Sequence, residues 1–198
     1  MAYDRKVSLM QSLNPTLWRT CKMLTGKTRL KLLRQLQNHP GLHVSALGNS
    51  VHIGHAAASQ ELRRIQSRGF LQTKRRGVYL IYRMVADPQV SSASPLLEAI
   101  QTALSLLPPE RDEEMALIAA GLSHERRIRI VRALLKAPRL ASDVRLALHI
   151  PDHSFREHLH TLLASGFVAK SGDLVRFQVP DHPLAQALAK LIQQGAIR

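Results

Sequence analysis

The chain has 198 residues, with 28 Lys and Arg against 14 Asp and Glu, which gives a formal net charge of +14 at pH 7. This basic excess favours a polyanionic partner, either nucleic acid or an anionic membrane surface. Hydrophobic residues make up 45% of the chain, which is enough for a packed core and excludes global disorder. The single cysteine, Cys21, excludes a disulfide framework, a thiolate zinc finger and an iron–sulfur cluster.

The sequence carries no targeting or membrane signal. The N-terminal segment 1–16 lacks the apolar region of a secretory signal peptide, and no run of about 18 apolar residues occurs anywhere. We therefore expect a cytoplasmic protein that has no membrane partner.

The first half of the chain predicts four helices, a β-hairpin and a closing helix. Asn14 and Pro15 are typical of a helix cap and a first helical position. The predicted helices cover about residues 15–24, 27–37, 43–48 and 54–68. An alternation of period two then predicts strands over 70–74 and 78–83, with a turn at Arg75, Arg76 and Gly77. A linker at 87–94 leads to a closing helix that ends near residue 107.

The same order of elements is predicted again after Pro108 and Pro109. Helices are expected near 110–121, 124–136, 142–149 and 153–165, followed by a hairpin at 167–179 and a helix from His182.

At an offset of 98 residues, segment 24–36 aligns with segment 122–134, and four positions are identical. They are Leu24/Leu122, Arg29/Arg127, Arg34/Arg132 and Leu36/Leu134. After one deleted residue, 67–71 aligns with 164–168. We interpret the chain as two tandem domains, residues 1–107 and 108–198.

Three helices, a further helix and a two-stranded hairpin predict a winged helix-turn-helix. Segment 24–33, LTGKTRLKLL, resembles the "L-x-D-x-T-R-L-x-I-L" opening of the ArsR-type winged-helix repressors, and segment 122–131 resembles it again. Segment 58–62, ASQEL, followed by Gly69, Phe70 and Leu71, is similar to that family's recognition-helix pattern. The resemblance implies a mainly α fold with small β-hairpin wings (α+β), in two tandem copies. Because family members usually dimerise through their first and last helices, it also implies a pseudo-dimer within one chain.

The chain departs from this family at its metal sites. The family's metal sensors carry Cys-Val-Cys in the third helix, where this chain has His43, Val44 and Ser45, so a thiolate site of that kind is excluded. The family's ligands on the closing helix have no match in 94–107. His153, Glu157 and His160 have zinc-compatible spacing, but no ligand set is complete. We therefore predict no metal and no cofactor.

Enzyme motifs are also missing from the sequence. It contains no Gly-rich phosphate loop, no His-Glu-x-x-His and no nucleophile elbow. We predict that the protein is not an enzyme.

The fourth helix and the hairpin of the first copy are the predicted DNA-binding elements. Helix-turn-helix proteins place the N-terminal half of this helix in the major groove, where Gln can pair with adenine and Arg with guanine. Basic residues on a wing can contact phosphates or a narrow minor groove. The predicted DNA-binding residues are His55, Ala56, Ser59, Gln60, Arg63, Arg64, Lys74, Arg75 and Arg76.

The second copy is predicted to bind DNA more weakly. Residues 1–90 hold 15 Lys and Arg against 3 Asp and Glu, whereas residues 91–198 hold 13 against 11. Its fourth helix presents Glu157, which is repulsive beside phosphates, and its wing tip, 170–173, is formally neutral. Its candidate DNA face consists of His153, Arg156, His160 and Lys170. The second copy is therefore predicted to be either a weak half-site reader or a dimerisation partner.

Together these patterns predict a sequence-specific, double-stranded DNA-binding transcriptional regulator. Two alternatives remain open at this stage. One is a winged-helix module for protein interaction or dimerisation, and the other is a ligand- or metal-responsive sensor that uses the cleft between the copies. The sequence also leaves open whether two chains pair as a homodimer.

Overall fold

The structure, a computed structural model, describes residues 16–195. This part of the chain is mainly helical, with two small antiparallel sheets, in agreement with the predicted α+β class. None of its helices combines the length and the apolar character needed to cross a bilayer. The predicted start of the first helix, Asn14 and Pro15, lies outside the described residues.

The first half contains the predicted elements in the predicted order. The four helices are α1 (Leu17–Leu24), α2 (Lys27–Asn38), α3 (Val44–Ser50) and α4 (His55–Gln66). They are followed by β1 (Gln72–Arg76), β2 (Tyr79–Arg83) and the closing helix α5 (Ala93–Leu106).

The second half repeats this order and adds one short strand. A 3₁₀ turn (Pro109–Arg111) precedes α6 (Asp112–Gly121), α7 (Glu125–Leu134), β3 (Arg139–Leu140), α8 (Ala141–Ala147) and α9 (Asp152–Ala164). β4 (Val168–Ser171), β5 (Leu174–Phe177) and α10 (Pro183–Gln193) complete it. β3 pairs with β5 and extends the hairpin to a three-stranded sheet. The first half has a single bridge, between His43 and Ile81, instead of this strand.

The turn before the fourth helix has the same unusual backbone in both halves. His52 and His149, which are 97 residues apart, have positive φ angles of 59° and 53°. Gly48 allows the turn between α3 and α4 to pass close to α3, since a Cβ at this position would lie 2.9 Å from the carbonyl oxygen of Ile53. Local backbone geometry therefore shapes the turn that leads into the fourth helix.

The two hairpins also turn in the same way, and this corrects one prediction. Gly77 and Gly172, each the first residue of a two-residue turn, have φ angles of 62° and 56°. A positive φ at the first turn position is the pattern of a type II′ turn, which glycine adopts without steric cost. The turn of the first hairpin is consequently Gly77 and Val78. The prediction that Arg75 and Arg76 lie in the turn was wrong, because both belong to strand β1.

The apolar faces of the fourth helices are buried as the sequence predicts. In α4 the buried residues are Ala58, Leu62 and Ile65, and in α9 the equivalent positions are Phe155, Leu159 and Leu162. Cys21 is completely buried. The buried residues of both halves belong to one hydrophobic cluster, so the two halves share a continuous core.

The halves meet through their first and closing helices. α1 packs on α6, and α5 packs on α10, while α2 also contacts α6. At this junction Arg34 is 8% exposed. Its Nε and Nη2 atoms donate to the Asp112 carboxylate at 2.8 and 2.6 Å, and the carbonyl oxygens of Leu104 and Leu107 accept its other hydrogen bonds at 3.0 Å. The interface therefore combines apolar packing with one buried bidentate ion pair.

Candidate nucleic-acid interface

The outward face of α4 is formed by the residues that the sequence assigned to it. Because Ala58, Leu62 and Ile65 point into the core, the opposite side of the helix faces solvent. Exposed on this side are His55, Ala56, Gln60, Arg63 and Arg64, whereas Ser59 is only partly exposed. The helix thus presents two arginines, one amide and small residues that permit close approach of a ligand.

The N-terminal end of α4 is open to an anion. Its N-cap residue, Gly54, provides no side-chain hydrogen bond, and the first turn contains no acidic residue. Free backbone N–H groups and the positive end of the helix dipole favour phosphate at such an end. In the second half, α9 begins with Asp152, whose carboxylate offsets the same charge.

The cations of α4 differ in how far they are already neutralised. The side chains of Arg63 and Gln60 form no hydrogen bond or ion pair with another residue of the range 16–195. Arg64 is paired with Glu61, whose second carboxylate oxygen accepts from Arg29 at 2.7 Å. Arg63 is therefore the more available of the two predicted DNA-binding arginines.

The first hairpin carries its cations along strand β1. Lys74, Arg75 and Arg76 are exposed, and their side chains alternate between the two faces of the ribbon. Lys74 and Arg76 share one face, and Arg75 lies on the other. These residues and Arg83 of β2 line a cavity of about 350 Å³.

Arg83 is a candidate binding residue that was not predicted from the sequence. It is exposed and pairs with Gln72, which places it on the same face as Lys74 and Arg76. The signal was present in the sequence, since a correctly placed two-residue turn fixes this register.

The tip of the first hairpin is apolar, contrary to the predicted basic tip. Val78 is 93% exposed, Tyr79 54% and Leu80 37%. The Tyr79 ring stacks on the His43 ring with a centroid distance of 4.8 Å, which joins the hairpin to the start of α3. We call Val78, Tyr79 and Leu80 the apolar tip.

The outward face of α9 carries basic side chains that lie beside carboxylates of the same helix. Arg156 contacts Asp152 at 2.7 Å, and His153 lies 3.7 Å from Glu157. His160 is exposed as predicted, as is Lys170 on β4. This face is therefore closer to neutral than that of α4.

His158 of α9 lies inside the fold rather than on this face. It is 8% exposed, and its ring contacts His124 at a centroid distance of 4.5 Å. Burial lowers the pKa of His158 to about 4, and the charges of His124, Arg127 and Arg126 contribute to the shift. Over the range 16–195, no group of three or more His, Cys, Asp or Glu side chains is placed to hold a metal ion.

Comparison of the chain with protein-family models, with curated proteins and with solved structures finds no significant match. The interface is therefore interpreted from its own residues and geometry.

Proposed function

We propose that the chain is a sequence-specific, double-stranded DNA-binding transcriptional regulator of two fused winged helix-turn-helix domains. In this proposal α4 is the recognition helix and the hairpin of β1 and β2 is the wing. The observation that carries it is the concentration of unpaired cations on α4 and β1 of the first half. Arg63 and the cations of β1 have no carboxylate partner among the described residues.

The geometry of these elements suits separate contacts with the bases and with the phosphates of DNA. Gln60 and Arg63 lie one turn apart on α4, where both can reach base edges in the major groove. Lys74, Arg76 and Arg83 share one face of the hairpin, and such a row of cations can follow a phosphate backbone. The open N-terminus of α4 adds a further phosphate position.

The packing of the halves supports an intramolecular pseudo-dimer. The contacts of α1 with α6 and of α5 with α10 use the first and closing helices of each half. These are the helices through which ArsR-type proteins usually dimerise, and the chain resembles that family in its motifs. A pseudo-dimer of this kind would read an asymmetric site, since only one half presents a strongly basic face.

The wing is tested by removing its two arginines. The variant Arg75→Ala, Arg76→Ala should bind duplex DNA more weakly, and the slope of log K against log salt should fall by about 0.9 for each lost phosphate contact. The matched control is Lys170→Ala, Arg176→Ala, which removes the same charge from the second hairpin and should have a smaller effect. Fluorescence anisotropy over a salt series measures both quantities. An unchanged affinity and slope in the first variant would exclude the wing assignment.

A protein-interaction module is the second candidate, and the apolar tip favours it. Three exposed apolar residues at the end of a hairpin are typical of a small docking surface. Salt separates the two candidates, because DNA binding collapses as salt rises while an apolar contact persists. Replacing Val78 by Ser should abolish a salt-resistant interaction and leave salt-sensitive DNA binding largely unchanged.

A further inference from the structure

A cationic cavity lies between α1 and the C-terminal half of α4, and it borders the outward face of α4 at Arg64. Its volume is about 420 Å³. Its lining includes Trp18 and five basic side chains, namely Arg19, Lys22, Arg29, Arg64 and Arg68. We call this cavity the α1–α4 pocket.

A single carboxylate neutralises part of this charge. Glu61 accepts a hydrogen bond from Arg29 at 2.7 Å and another from Arg64, so it is shared between two guanidinium groups. Arg29 also donates from its Nε to the carbonyl oxygen of Met23, which fixes the guanidinium at the pocket wall. Two of the five cations are thus held in place by the protein itself.

The remaining cations have no anionic partner among residues 16–195. Arg19, Lys22 and Arg68 form no ion pair there. The Arg19 guanidinium lies 5.0 Å from the centroid of the Trp18 ring, so an aromatic face is its neighbour. Burial lowers the pKa of Arg68, and the nearby charge of Arg19 lowers it further. The site therefore holds like charges close together, an arrangement that an anion would stabilise.

The equivalent place in the second half lacks this charge. By the repeat offsets, its residues at the positions of Arg19, Lys22, Arg64 and Arg68 are Leu117, Ala120, Thr161 and Ser165. The corresponding helices, α6 and α9, contact each other without these cations. The cations are therefore not required for packing the first helix near the fourth, and their presence in one half needs another explanation.

We propose that the α1–α4 pocket binds a multiply charged, phosphate-type anion. Guanidinium groups bind phosphate oxygens with paired N–H donors, and several cations in one cavity match a ligand with several negative charges. The phosphate groups belong either to a small molecule, which would make the pocket an effector site, or to the DNA backbone. Apart from Arg64, the pocket uses none of the predicted DNA-binding residues, so it does not depend on the proposed function.

The test is calorimetric titration of the full chain with inorganic pyrophosphate at fixed ionic strength. The variant Lys22→Ala, Arg68→Ser introduces the residues of the second half and should raise Kd by about tenfold or more. The control Lys136→Ala, Lys190→Ala removes the same charge at exposed positions outside the pocket and should leave Kd unchanged. Arg19→Gln, at an exposed position, is a second pocket variant that leaves the core intact, and it should also weaken binding. Thermal unfolding with and without pyrophosphate verifies that each variant is folded.

The outcomes separate this proposal from the proposed function. Absence of pyrophosphate binding, or an equal loss in the pocket variant and the Lys136→Ala, Lys190→Ala control, would overturn the pocket assignment. If pyrophosphate competes with duplex DNA and the pocket variant loses DNA affinity, the bound anion is a backbone phosphate. If the pocket variant retains DNA affinity, the ligand is a small molecule. Pyrophosphate binding without any DNA binding would support the pocket assignment and refute the proposal that the chain is a DNA-binding regulator.

Discussion

The two halves of the chain share a backbone plan and differ in how they neutralise their cations. On the outward face of α4, Arg63 has no partner among the described residues, whereas Arg156 of α9 is paired with Asp152 at 2.7 Å. The core positions of both helices are buried in the same pattern. The halves therefore share their buried positions and differ in their exposed charges, and this difference supports the proposal that the first half carries the main DNA-binding surface.

The same divergence occurs at one position below the surface. Arg29 of α2 is paired with Glu61 of α4 at 2.7 Å. The equivalent residues in the second half are Arg127 and His158, and both have a buried nitrogen without a hydrogen-bond partner, Nε of Arg127 and Nδ1 of His158. The first half closes this position with an ion pair, and the second half leaves it with two groups that repel when both are charged.

The largest effect is expected where the halves join. Replacing Arg34 by Met removes both hydrogen bonds to Asp112 and leaves a carboxylate that is 14% exposed without its cation. Breaking a buried pair from one side costs about 3–5 kcal/mol in the free energy of unfolding. Denaturant unfolding should show this loss, and the double variant Arg34→Met, Asp112→Leu should recover part of it.

The matched control is Lys27→Met, which breaks a second ion pair between the same two helices. Lys27 and Glu113 are 69% and 72% exposed, so solvent already screens their interaction. We expect no measurable loss of stability from this change. Equal losses in Arg34→Met and Lys27→Met would show that the buried pair does not hold the halves together.

An intermediate effect is expected from exchanging the recognition residues between the halves. Gln60→Glu and Arg63→His give α4 the residues that α9 carries at the equivalent positions. Each lost base contact is worth about 1–3 kcal/mol, so affinity for a selected DNA site should fall about 5- to 150-fold per contact. The reverse exchange, Glu157→Gln and His160→Arg, should strengthen DNA binding by the second half. Anisotropy with a site selected from random duplex DNA measures both directions.

The comparison between the halves would be reversed if the exchange in α4 changed DNA affinity only weakly and the reverse exchange in α9 changed it strongly. The second half would then be the principal reader, and the charge asymmetry would only reflect general attraction to polyanions. Circular dichroism on each variant ensures that a change in affinity is not a change in folding.

Much of the fold could be predicted because each helix carries its own periodic signal. The buried positions of α4 and α9 follow a 3.6-residue repeat that reads directly from the sequence. β3 has two residues, too few to show a period, and was missed. The first hairpin turn was misplaced because Gly77 was assigned to the end of the turn rather than to its first position.

The contacts between distant segments were beyond sequence reasoning. Arg34 and Asp112 are 78 residues apart, and no local pattern indicates that they pair. The α1–α4 pocket depends likewise on how α1 approaches α4, since Arg19 and Arg68 belong to separate elements. The basic residues were visible in the composition, but their convergence on one cavity requires the packed structure.

The smallest effect concerns the buried position that distinguishes Glu61 from His158. Because the pKa of His158 is lowered to about 4 from 6.5, the folded chain leaves this ring neutral over a range in which the unfolded chain protonates it. The unfolded state then binds more protons, so stability falls as the pH drops from 6.5 towards 4. His124 and His182 have pKa values lowered mainly by burial and contribute with the same sign.

Replacing His158 by Glu should restore the ion pair of the first half and flatten this dependence. A carboxylate beside Arg127 has a folded pKa below its unfolded value of about 4.3, so its stabilisation is present above that pH and is lost only below it. The free energy of unfolding, measured with denaturant at pH 7 and pH 5, should therefore differ less for His158→Glu than for the natural chain. The pH dependence that remains comes from His182. His158→Gln separates the two contributions, because it removes the titrating ring without supplying a partner for Arg127. If both variants retain the full pH dependence of stability, His158 is not its source. The dependence then arises from other histidines, and it does not reflect the difference between the halves at this position.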